Sequence, residues 1–129
     1  MKNIQQLLNL AQKAMENAYA PYSKLRVGAA IIADNGKIYC GCNTENISYP
    51  CGTCAETGAI AAMVADGGRL IQQIVIVSDS KTMITPCGAC LQRIKEFADT
   101  NTEIVLFDTD QNIHCHHIDD LLPHAFEEF

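Results

Sequence analysis

The sequence has 129 residues, 48% of them apolar, and nine Lys and Arg against fifteen Asp and Glu give a net charge of −6. That length suits one domain with its own core, and that apolar fraction argues against a disordered chain. The acidic balance argues against a DNA or RNA polymer as partner, since such binders carry a basic face.

In chain order, Ile4, Leu7, Leu8, Ala11, Met15 and Ala18 form one apolar stripe at helical spacing. Ala20-Pro21-Tyr22-Ser23 closes that helix, because proline disfavours helical geometry in the residue before it. Val27 to Ala33 is an apolar run of strand length, and Asp34-Asn35-Gly36 turns it into a second strand over Lys37 to Cys42. Asn43 to Thr53 is polar and predicts an ordered loop. Cys54 to Ala65 predicts an alanine-rich helix closed by Asp66-Gly67-Gly68. Leu70 to Val77 predicts a strand buried on both faces. Pro86 opens a helix to about Ala98; Glu103 to Phe107 and Ile113 to His117 predict two further strands, and Ile118 to Leu122 a short helix. The order predicts an α/β fold over residues 1–129. Its mixed sheet has about five strands, helices on both faces and a hairpin at each end of the order.

Met1 to Gln6 contains no long apolar run, so neither a signal peptide nor a membrane span is expected. Seven cysteines, several in Cys-x-x-Cys spacing, point to metal binding and to the reducing cytoplasm. Cys51-Gly-Thr-Cys54 and Cys87-Gly-Ala-Cys90 both fall at predicted helix starts, where unpaired N–H groups favour thiolates. Two zinc sites fit. Cys54, Cys87 and Cys90 with an open fourth position make a catalytic site; adding Cys51 makes a closed structural one. Glu56, two residues past Cys54, is turned about 200° away around the helix, which suits a proton carrier better than a ligand.

Cys54-Ala55-Glu56 with Pro86-Cys87-Gly88-Ala89-Cys90 resembles the signature of the zinc-dependent nucleoside deaminases. Ala20 to Lys24, Val27 to Ala30, Gly41 to Asn46 and Leu121-Leu122-Pro123 extend the resemblance to the small homotetrameric cytidine deaminases. The resemblance implies a three-layer fold, a homotetramer and Zn2+ on Cys54, Cys87 and Cys90. It also implies hydrolytic deamination of cytidine or deoxycytidine in pyrimidine salvage. Glu56 would pass a proton from an activated water to N3 of the cytosine ring, then another to the departing amino group. Asn43 and Glu45 would bind the ribose, and the Ala55 N–H the base. Leu25 and Tyr49 would lie beside the base, and Phe126 would reach a neighbouring subunit's site.

Three positions depart from the family pattern. Thr57 and Leu91 stand where the family usually has arginines, and Leu25 where it commonly has phenylalanine. Arg93, three residues past Cys90, is either a substitute cation or a solvated one. Together these changes leave room for another aminated nucleoside, such as a modified cytidine or blasticidin S. Cys51 is expected to be a free buried thiol and Cys40, Cys42 and Cys115 small core residues. His114, His116, His117 and His124 are expected at the surface.

Overall fold

The computed structural model describes residues 4–129. Five strands form one sheet in the order β2-β1-β3-β4-β5. In chain order the elements are α1 (Ile4–Glu16), β1 (Val27–Ala33), β2 (Ile38–Cys42), α2 (Ala55–Ala65), β3 (Ile71–Ser78), α3 (Gly88–Glu96), β4 (Glu103–Phe107), β5 (Ile113–His116) and α4 (Ile118–Leu121). Each predicted element is present, and the two hairpins, β1–β2 and β4–β5, occupy opposite edges of the sheet.

The alternation of side chains along each strand sorts the core into two halves. Ala29, Ile31, Ile74, Ile76, Ile104 and Leu106 face Ala59, Ile60 and Met63 of α2 and Leu91 and Ile94 of α3. Ala30, Val75, Val77 and Val105 face Ile4, Leu7 and Ala11 of α1. The sheet thus carries helices on both faces, with α1 alone on one of them.

That asymmetry overturns one expectation. Cys40 and Cys115 are exposed and Cys42 is half-buried, so none of the three is a core residue. Cys40 pairs with Ala30 and Cys115 with Val105, which places both on the face covered by α1. One helix screens the middle of that face and leaves residues of the outer strands, β2 and β5, open.

The first helix also stops short of Ala18, at Glu16. Its last turn tightens through Asn17 N–H to Ala14 and Ala18 N–H to Met15 carbonyl bonds. The chain then leaves to pair with the loop after β2: the Tyr19 N–H donates to the Asn43 carbonyl, and the Glu45 N–H to the Tyr19 carbonyl. A long-range pairing here outweighs one more helical turn.

Candidate active site

Strand direction brings two helix starts together. Both β2 and β3 are antiparallel to the strand between them, β1, so they run the same way. The helices that follow them, α2 and α3, therefore begin at the same end of the sheet, where open α/β sheets commonly bind ligands. Cys54 is the N-cap of α2 and Cys87 the N-cap of α3, both in extended conformation. Cys90 sits in the first turn of α3, 1% exposed. The sulfurs of Cys54, Cys87 and Cys90 all lie within 4.8 Å of one another. Cys51 does not join them. It ends a short 3-10 turn, Tyr49–Cys51, and is exposed rather than buried as expected.

Glu56 is 5% exposed, in the first turn of α2. Burial pushes its carboxyl above the ordinary value, opposed by its own backbone N–H, the Cys90 thiol and the Arg93 charge. Backbone N–H groups at the start of α3 pull the Cys87 thiol down. Burial pushes the Cys90 thiol up, and the Glu56 carboxylate and the Cys54 sulfur push the same way. Three sulfurs and a carboxylate crowded this way repel as anions, and a divalent cation resolves that repulsion. Tetrahedral zinc with bonds of about 2.3 Å needs sulfurs about 3.8 Å apart, a spacing within the range over which these sulfurs converge.

A cavity of about 480 Å³ opens onto these groups. Its lining includes the three cysteines, Glu56, Ala55, Leu25, Asn43, Glu45 and Tyr49, brought together from the segment before β1, the loop after β2 and the starts of α2 and α3. The Asn43 amide spans two backbone groups, accepting from the Val27 N–H at 2.8 Å and donating to the Leu25 carbonyl at 2.8 Å. Glu45 accepts from the Tyr22 and Ser23 N–H groups at 3.0 and 3.1 Å and from the Ser23 hydroxyl. Those bonds hold its carboxyl below the ordinary value.

Phe126 lies outside this cavity. Its ring stacks edge-on against Phe129, and its backbone exchanges two hydrogen bonds with the Gln92 amide. The sequence reading left out several residues that line the cavity, among them Ser23, Thr53, Ile76, Ile84 and Thr85. Ser23 and Thr53 carried a signal, as parts of the Ala20 to Lys24 and Cys51 to Cys54 stretches. The others join through tertiary packing.

The departures from the family pattern have distinct surroundings. Leu91 is buried in the core between the sheet and α3. The Thr57 hydroxyl is buried with no hydrogen-bond partner among the described residues. Arg93 is not simply solvated: its Nη1 donates to the Cys90 sulfur at 3.8 Å.

Known proteins agree with this geometry. The profile of the cytidine and deoxycytidylate deaminase zinc-binding region matches residues 1–106. A cytidine deaminase of Sporosarcina psychrophila is 40% identical over 126 residues, covering 98% of this chain and 93% of that protein. One from Halalkalibacterium halodurans is 38% identical over 95% of this chain and 92% of its own. The crystal structure of the Burkholderia pseudomallei cytidine deaminase superposes with a TM-score of 0.88 at 39% identity, covering 95% of this chain and 98% of that one. Matched along nearly its whole length in both sequence and backbone, this chain belongs to the cytidine deaminase family.

Proposed function

We propose that the protein hydrolyses the exocyclic amino group of cytidine or deoxycytidine, releasing ammonia and the uridine form. One observation carries the reading: a buried carboxylate, Glu56, lines the same cavity as three converging cysteine sulfurs. Cys54, Cys87 and Cys90 would hold zinc, and the fourth position would stay open because Cys51 lies outside the cluster. Zinc, when bound, supplies Lewis acidity and an activated water. Glu56 would take a proton from water as the water oxygen bonds to C4, and deliver it to N3 of the ring. It would then carry the remaining C4 hydroxyl proton to the amino nitrogen, so that the C4–N bond breaks, the carbonyl forms and ammonia leaves. Burial raises the Glu56 carboxyl toward the range in which one group serves as base and then as acid.

The remaining lining residues select the substrate. The first N–H groups of a helix lack intrahelical partners, which leaves the Ala55 N–H free to hold the base. Leu25 and Tyr49 wall the base, and Asn43 and Glu45 present an acceptor and donor pair to ribose hydroxyls. Asn43 and Glu45 are already fixed by the backbone, so they meet the sugar with little further loss of freedom.

The whole chain is read as one deaminase domain that works as a homotetramer, with Phe126 serving a neighbouring subunit. Support comes from the family resemblance and from the exposed apolar surface at Ile47, Tyr49 and Phe126. The place of work would be the reducing cytoplasm, which keeps the metal-binding thiols reduced, and the role would be pyrimidine salvage.

The test is ammonia release from cytosine, cytidine, deoxycytidine, their phosphates, 5-methylcytidine and blasticidin S, run with measurement of bound zinc. Turnover confined to the unphosphorylated nucleosides, with one zinc per chain, supports the reading. Turnover of blasticidin S alone would transfer it to the other aminated nucleosides that the departures from the family pattern leave room for. Zinc without turnover of any compound would leave a structural metal site.

A further inference from the structure

Three thiolates around one divalent ion leave a net negative charge, and a nearby cation lowers the free energy of that arrangement. Thr57 brings no charge and Leu91 is packed into the core, so neither position supplies one. Among the described residues, the other basic side chains with recorded partners are directed elsewhere. Arg26 pairs with Asp79, Lys37 with Asp66, and Lys95 with Asp119 and Glu127, while Arg69 binds the Val64 and Gly68 carbonyls.

Arg93 differs from all of them. Among the described residues it forms no ion pair with a carboxylate, and its recorded hydrogen bond runs to the Cys90 sulfur at 3.8 Å. Helix geometry explains the direction: residues three apart share a face, and side chains lean toward the helix N-terminus. Residue 93 therefore covers the turn that holds Cys90. A basic residue in the last turn of a helix also complements the helix dipole, but that role needs no contact with a sulfur. Lys95, in the same last turn, fills the dipole role while reaching away from the site.

We propose that Arg93 is a positioning residue of the metal centre, orienting the Cys90 sulfur and offsetting the negative charge of the three-cysteine set. The proposal rests on the zinc reading above. It makes this chain an example of the cation being supplied two residues further along α3 than position 91. Outer partners of metal ligands typically matter by about 10- to 100-fold in metal affinity, and the exposure of Arg93 places it at the low end.

The test follows zinc transfer from the loaded protein to a chromogenic chelator for wild type, Arg93→Met, Arg93→Lys and Lys95→Met, with thermal melts to establish folding. Arg93→Met should release zinc about tenfold faster, Arg93→Lys should fall between, and Lys95→Met should match wild type. In cobalt-substituted protein, the sulfur-to-metal absorption band should shift in Arg93→Met and stay put in Lys95→Met. Wild-type release and an unshifted band in Arg93→Met would overturn the assignment. So would an equal effect of Lys95→Met, which would reduce the effect to general surface charge. A wild-type protein that binds no zinc would instead overturn the zinc reading itself.

Discussion

Gly41 of β2 lies directly beneath Ala55 at the head of α2. A Cβ on residue 41 would stand inside the van der Waals envelope of the Ala55 carbonyl oxygen and 2.5 Å from the Ala59 nitrogen. Ala55 separates Cys54 from Glu56, so this close approach sets where the thiol and the carboxyl stand relative to the sheet. Backbone on both sides leaves nothing flexible to yield. Gly41→Ala should destabilise the chain by at least the roughly 1–3 kcal/mol of an overpacked core and reduce zinc content and turnover with it. Urea unfolding checks the first part; a wild-type midpoint would show that α2 can slide without cost.

Glu56 lines the cavity beside the sulfur cluster and is not part of it. Glu56→Gln keeps shape and hydrogen-bonding capacity but cannot accept a proton. Zinc content should hold while kcat falls by about 10²–10⁴, the usual weight of general acid–base catalysis. Retained turnover would remove Glu56 from the proton path.

Cys51 and Cys87 offer a clean pair, because both are exposed and only one belongs to the converging sulfurs. Cys51→Ser should keep one zinc per chain, and Cys87→Ser should lose it. Metal analysis by mass spectrometry decides. Loss of zinc from Cys51→Ser would restore the closed four-cysteine site.

Glu45 is fastened to the Tyr22 and Ser23 backbone at the edge of the cavity, far enough along the chain from Glu56 to be altered separately. Glu45→Gln should raise KM for cytidine about tenfold, the weight of a hydrogen bond to a charged group, with kcat little changed. A fall in kcat at unchanged KM would place the residue nearer the chemistry than the sugar.

The β4–β5 turn gives a pH-dependent prediction. Asp108 accepts from His114 and from the Asn112 and Asp110 N–H groups, which hold its carboxyl at about 2 against an ordinary 3.8. Between those values the folded chain binds fewer protons than the unfolded one. The stabilisation is therefore complete above about pH 4 and drains away as pH falls toward 2. Asp108→Asn should show a flatter dependence across that window than wild type in thermal melts. Parallel curves would mean the turn contributes through its backbone bonds alone.

Local chemistry made much of this protein legible in its sequence. Apolar spacing marked the helices and strands, Asp34-Asn35-Gly36 and Asp66-Gly67-Gly68 marked turns, and thiols at helix starts marked the cysteine cluster. These signals depend on neighbours within a few positions, so they survive without knowledge of the fold. Other features depend on which strands pair and in what direction. The antiparallel β1 set between β2 and β3 brings Cys54 to Cys87 and Cys90 while leaving Cys51 outside. The single helix on one face of the sheet leaves Cys40 and Cys115 exposed, and pairing of Tyr19 with the Asn43–Glu45 loop ends α1 early. The direction of Arg93 followed only once the sulfur beneath it had a place. Spacing along the chain specifies what each element is, whereas packing between distant elements decides which side chains meet.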